Sequence, residues 1–178
     1  IRITAEEADC MYSGIMIDTN NFMTKTGVRT FEAAAFLRRN GADVTRVRKL
    51  FRENATEYKA KADAVSQAEI YRNSFAISTC TSEDIQSPTV VGAQAANELL
   101  NIRGVKASFV LTEYQNQIFI SARSIDEVNV QIIMEKMGGG GHLGTAGCQL
   151  NGVSIAEGIG LLKGTLDKML EEGDLAVD

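Results

Sequence analysis

Lys106-Ala-Ser-Phe-Val-Leu-Thr-Glu-Tyr-Gln-Asn-Gln-Ile-Phe-Ile-Ser-Ala-Arg-Ser124 contains two β-rich runs, Lys106–Thr112 and Gln117–Arg123. The polar segment between them, Glu113-Tyr114-Gln115-Asn116, reads as a hairpin connection. Working outward, Ser74–Cys80 reads as a strand, and Ser87-Pro88 opens a helix to about Asn101, with proline at its first position. On the other side, Ser124-Ile-Asp-Glu127 has the form of a capping box and predicts a helix to Lys136. A glycine run follows, then a short strand at Ala146–Leu150 and a closing amphipathic helix at Ser154–Glu172. Strand, helix, two strands, helix, strand, helix predicts a compact α/β unit over residues 73–178.

The first part of the chain has a different texture. Thr4-Ala-Glu-Glu7 is a second capping box, followed by Ala8, Met11, Tyr12, Ile15 and Met16 at helical spacing, with a stop near Asp18. A second helix is expected from Thr30 to a glycine cap at Gly41, and a third from Asp43, with Val44, Val47, Leu50 and Phe51 on its buried face. Thr56–Tyr71, rich in Ala, Lys and Glu, reads as a connecting helix. Residues 1–57 are thus helical, with no visible sheet.

Composition sets limits. Among 178 residues, 44% are hydrophobic and 23% charged, enough to bury a core. A net charge of −5 argues against a nucleic-acid coat or an anionic-membrane binder. An anionic ligand therefore needs a local device. Cys10, Cys80 and Cys148 lack metal-type spacing and read as reduced, mostly buried thiols. The charge-free stretch Met137–Ala156 is too rich in glycine and polar groups for a membrane span. The chain opens at Ile1 and reads as a piece of something longer.

Gly138-Gly139-Gly140-Gly141-His142 is the most informative segment for function. One glycine suffices to end a helix; four remove every Cβ and let a ligand approach the main chain, with the N–H groups as an anion nest and His142 as a further donor. Thr145-Ala146-Gly147 lies just beyond. Arg123, at a strand end, suits a phosphate, and equally suits an exposed charge. Ser124 is a ligand candidate whose capping role alone explains it. Asp18, after the apolar run Gly14–Ile17, reads either as a metal ligand or as the start of an Asx-turn with Asn20 or Asn21. One histidine and no other clustered carboxylates cannot build a complete two-metal site. Arg38-Arg39 and Arg46-Val47-Arg48-Lys49 read as solvated helix faces.

Taken together, these residues resemble the DHH phosphoesterase superfamily, whose catalytic DHH domain is followed by a DHH-associated substrate-binding domain. Arg123-Ser124, Gly138–His142 and Ala146-Gly147 resemble the signature of the associated domain, and Gly14–Thr19 resembles the last metal-binding motif of the DHH domain. The segment Gly14–Phe22 with Thr26-Gly27, Arg29-Thr30-Phe31, Leu37-Arg38 and Gly41-Ala42-Asp43 narrows this to GdpP-type phosphodiesterases. Those are membrane-anchored enzymes that open cyclic di-AMP to pApA.

The resemblance implies an α/β protein: a partial helical remnant of a DHH domain at residues 1–57, a connecting helix at 58–72, and a mixed-sheet associated domain at 73–178. It implies that Asp18 is one ligand of a manganese (Mn2+) pair whose other ligands, including the DHH triplet, are absent here. It implies that Arg123, Ser124, Gly139, Gly140, Gly141 and His142 bind the substrate, cyclic di-AMP or pApA. Expected partners are the upstream DHH domain and a second copy as a homodimer, with neither membrane contact nor long nucleic acid. The intact protein is expected to be membrane-anchored with this part in the cytoplasm, and this part alone inactive. The alternatives are a DHH-family oligoribonuclease or adenosine bisphosphate phosphatase, and a non-catalytic RNA-binding module, against which the acidic pI of about 5.0 counts.

Overall fold

The computed structural model describes residues 2–175. The chain divides into two compact units, Ile1–Glu53 and Asn54–Asp178.

The first unit has three helices: α1 (Ala5–Asp18), α2 (Val28–Arg39) and α3 (Val44–Leu50). The expected capping box forms: the Thr4 hydroxyl accepts from the Glu7 N–H at 3.2 Å, and the Glu7 carboxylate accepts from the Thr4 N–H at 2.7 Å. α2 starts two residues earlier than its sequence suggests, because Thr30 lies inside the helix and its hydroxyl accepts from the Gly27 N–H at 3.2 Å. Asp43 caps α3 as expected, accepting from the Thr45 N–H at 2.7 Å.

Ala8, Leu37 and Ala42 form a small core, with Ile3, Tyr12 and Ile15 packed against it. Asp9, almost fully buried on α1, accepts from the Asp43 N–H at 2.7 Å and from Arg46 Nε at 2.6 Å. Arg46 also donates to the Gly41 carbonyl at 2.7 Å, so this exposed side chain is at the same time a structural tie across α1, α3 and the intervening turn. Val47 is the buried residue of α3, whereas Val44, Leu50 and Phe51 are exposed, against the sequence expectation.

The second unit is built on α4 (Ala55–Ser66), β1 (Glu69–Tyr71), β2 (Phe75–Cys80), α5 (Pro88–Leu99), β3 (Ala107–Tyr114) and β4 (Gln117–Ser124). It continues with α6 (Val130–Lys136), β5 (Gly140–His142), β6 (Thr145–Asn151) and α7 (Ile155–Glu171). Two of these strands are absent from the sequence reading. Glu69–Tyr71 leaves the expected helix and pairs antiparallel with β2, and the end of the glycine run pairs antiparallel with β6. The sheet order is β1-β2-β3-β4-β6-β5, with β2 and β3 parallel and every other pair antiparallel. The expected hairpin joins β3 to β4 through Gln115 and Asn116, whose φ values of 51° and 60° match the primed turn that suits strand twist.

One sheet face is packed by α6 and α7, with Phe109, Leu111, Ile118, Ile133, Leu162 and Leu166 in one buried cluster. Each such side chain contributes about 1.5–3 kcal/mol of burial. On the other face, Ala60, Ala64, Val91, Ala95 and Leu99 from α4 and α5 cover Ala76, Cys80 and Val110 of β2 and β3. No β6 or β5 residue belongs to this second cluster among the described residues. That half of the sheet face is left open.

Candidate functional site

The open face follows from strand alternation. In β4, Ile118, Ile120, Ala122 and Ser124 are buried, while Gln117, Phe119, Ser121 and Arg123 turn to the other side. Residues paired directly across strands share a face. Arg123 pairs with Thr145, and Thr145 with His142, so one row of the open face reads Arg123–Thr145–His142. At about 4.8 Å per strand, Arg123 and His142 stand about 10 Å apart along that row. The next row on the same face is Ser121–Gly147–Gly140, and the next pairs Phe119 with Gln149.

The glycine run is a helix end and an edge strand, not the loop its sequence suggests. The Gly138 N–H donates to the Glu135 carbonyl at 3.0 Å and the Gly139 N–H to the Met134 carbonyl at 2.8 Å, which closes α6. Those two N–H groups are spent, so no four-residue anion nest forms. A side chain at Gly139 would collide with the Gly147 carbonyl and with Cys148. Gly141 has φ +150° and lies against the Ala146 backbone. Gly140 is different: its φ is not positive, and a Cβ there would meet nothing within 4 Å. The fold does not require glycine at 140, and the space above it is open.

Arg123 is half-buried, and its Nη1 donates to the carbonyls of Ala122 at 2.9 Å and Ala146 at 3.5 Å. The guanidinium thus folds back over the sheet towards the bare Gly147. Burial pulls its pKa below the usual guanidinium value. Arg123 forms no ion pair with any described carboxylate. A partly desolvated cation without a counter-ion favours an arriving anion. His142 is exposed at the end of the same row, with both ring nitrogens free of described partners.

Ser124 does not join this group. Alternation turns it to the face of α6 and α7, where its hydroxyl donates to the Lys106 carbonyl at 2.9 Å and accepts from the Val128 N–H at 3.0 Å. Nor does it cap a helix: α6 begins six residues later, with Asn129 as the N-cap accepting from the Gln131 N–H at 3.1 Å. The structure instead supplies Ser121 and Thr145 as neighbours of Arg123. The period-two alternation of β4 marks Ser121 as the serine that shares a face with Arg123.

A cleft of about 440 Å³ opens beside this row, lined among others by Thr89, Phe119, Ser121, Gly147, Gln149 and Asn151.

In the first unit, Asp18 is the last residue of α1, exposed, and takes no hydrogen bond or ion pair from any described residue. It starts no Asx-turn. The turn is organised by Thr19, whose hydroxyl donates to the Ile15 carbonyl at 2.6 Å and accepts from the Phe22 N–H at 3.0 Å. No group of three His, Cys, Asp or Glu able to hold a metal ion occurs among the described residues. Asp18 is therefore one donor without companions, and the described residues do not by themselves fit a metal centre.

Residues 73–172 match the DHHA1 domain. The chain is 41% identical over 175 residues to the cyclic-di-AMP phosphodiesterase GdpP of Bacillus subtilis, covering 97% of this chain and 27% of that protein. It is 47% identical over 152 residues to the cyclic-di-AMP phosphodiesterase PdeA of Listeria monocytogenes, covering 85% of this chain and 23% of that protein. The chain thus spans about a quarter of the length of these relatives. An exopolyphosphatase-related protein of Bacteroides fragilis shares the fold, with a TM-score of 0.83 at 24% identity over 94% of this chain and 51% of its own. The domain match covers most of the chain and coincides with the sheet that carries Arg123 and His142: the chain belongs to the DHHA1 family.

Proposed function

We propose that this chain is the C-terminal part of a metal-dependent phosphodiesterase that opens cyclic di-AMP to pApA, and that its open sheet face holds the substrate. The observation that carries the reading is Arg123: a half-buried guanidinium with no carboxylate partner, in one row with His142 and one row from that of the uncovered Gly140. The two relatives named as cyclic-di-AMP phosphodiesterases support the substrate class.

In this reading Arg123 neutralises a phosphate from the β4 side and the His142 imidazole donates a hydrogen bond to it from the β5 side. Gly140 lets the ligand lie against the backbone, Gly141 keeps that backbone in place by holding β5 close to Ala146, and Gly139 fixes the close approach of α6 to β6. Ser124 has a structural role, tying the end of β4 to the Lys106 carbonyl and the Val128 N–H on the packed face. Asp18 is a manganese ligand only in the company of carboxylates and histidines from an upstream DHH domain. Residues 1–57 belong to that domain, residues 58–72 connect it, and the whole is membrane-anchored with this part in the cytoplasm.

The test is hydrolysis of cyclic di-AMP by the protein with its upstream DHH domain, in manganese buffer, with products separated by chromatography. Conversion to pApA, strongly reduced in Arg123→Ala and His142→Ala, is expected. Preference for short linear oligoribonucleotides or adenosine bisphosphate would replace the substrate assignment. The 178-residue chain alone is expected to give no turnover.

A further inference from the structure

Beyond the phosphate-binding row, the cleft contains a polar group that the proposed chemistry does not use. Two carboxamides line it, Gln149 and Asn151. Asn151 is committed: its side-chain oxygen accepts from Gln117 Nε2 at 2.7 Å. Gln149 is exposed, and its amide meets no described partner. It stands directly across from Phe119, whose ring is half-buried and set at 51° to the Tyr114 ring, 6.4 Å between centroids. Between this pair and the Arg123 row lies the Ser121–Gly147 row, where a glycine leaves the floor low. Thr89 of α5 also lines the cleft.

The spacing suits one nucleotide. Arg123 Nη1 reaches the Ala122 and Ala146 carbonyls, one residue along the strands from its own row. From there to the Phe119–Gln149 row is three residues, about 10 Å at strand rise. That is the reach of a nucleotide from its phosphate to the far edge of its base. An aromatic face gives a base a stacking surface, and a free carboxamide offers one donor and one acceptor side by side. Adenine presents the complementary pair at N7 and N6; guanine, with N7 and O6, presents two acceptors there.

We propose that Phe119 and Gln149 form the base subsite of this face, with Gln149 selecting adenine over guanine. The assignment rests on the phosphate reading of Arg123 and His142, and the experiment separates the two. In the protein with its upstream domain, kcat/KM is measured for cyclic di-AMP and cyclic di-GMP in wild type, Gln149→Ala, Gln149→Glu and Arg123→Ala. Gln149→Ala is expected to lower the ratio of the two kcat/KM values about tenfold, the size of one bidentate amide–adenine contact. Gln149→Glu keeps an acceptor for adenine N6–H but turns a second acceptor towards N7, and is expected to lower kcat/KM for cyclic di-AMP as well. Arg123→Ala lowers both values and leaves their ratio unchanged. An unchanged ratio in both Gln149 variants, with Arg123→Ala still impaired, overturns the base subsite and leaves the phosphate site standing. Full activity in Arg123→Ala overturns both. Gln149 is exposed and unbonded, so its variants are expected to keep the wild-type Tm.

Discussion

Arg123 and Ser124 are adjacent in sequence and face opposite sides of the sheet: Arg123 turns to the open face beside Thr145, and the Ser124 hydroxyl bridges the Lys106 carbonyl and the Val128 N–H on the packed face. Their substitutions should therefore separate. Ser124→Ala removes two bonds at a buried site and is expected to cost about 1–3 kcal/mol, with ligand affinity retained. Arg123→Ala should leave the unfolding midpoint nearly unchanged and abolish phosphate-ligand binding. Denaturant unfolding and ligand titration on both variants check this.

The glycines should separate in the same way. Gly139→Ala drives a methyl group into the Gly147 carbonyl and Cys148, and is expected to lower Tm by several degrees or prevent folding. Gly140→Ala meets open space, so the expected result is wild-type Tm with weakened ligand binding. Thermal unfolding followed by titration tells them apart.

The Asp9–Arg46 tie predicts an acid dependence. The Arg46 hydrogen bond first, and the Asp43 N–H second, hold the Asp9 carboxyl below its usual value. A carboxylate with a depressed folded-state pKa stabilises the fold above its unfolded value, near 3.9, and loses that contribution as pH falls through the lower folded one. Asp9→Asn should thus melt earlier than wild type at pH 7, and the gap should close as the pH approaches 2. Circular dichroism melts across pH 2–7 measure it.

The thiols give a separate check on the packing. Cys10 is exposed, whereas Cys80 and Cys148 are buried, and burial pushes the Cys148 thiol up to about 11. A thiol reagent at pH 8 should titrate one cysteine in the native protein and all three in denaturant. Rapid reaction of Cys148 in native protein would contradict the packing of β6 against α6.

Most helices and four of the six strands are legible in the sequence, because their signals are local: the Thr4–Glu7 box, Pro88 opening α5, and the alternation of β4. The misses have physical causes. Glu69–Tyr71 is too short for alternation to show, and a run of glycines carries no side-chain period at all, so β5 reads as a loop. Ser124-Ile-Asp-Glu127 matches a capping box, but the Ser124 oxygen accepts from the Val128 N–H instead of the Glu127 N–H, and its hydroxyl donates to the sequence-distant Lys106 carbonyl. Asp9 and Arg46 lie 37 positions apart, beyond any local pattern. At the site, Arg123, Gly140 and His142 were readable as candidates from residue type. Ser121, Phe119 and Gln149 join them only once the cross-strand register is known.

The most direct test of the open face uses the chain's single histidine. In a proton–carbon spectrum of the 178-residue chain, the one set of imidazole signals belongs to His142, and it can be followed while pApA is added. A saturable shift of those signals, abolished in Arg123→Ala, is the result expected if Arg123 and His142 hold one phosphate together. Imidazole signals that stay fixed while pApA moves resonances elsewhere in the chain would contradict it.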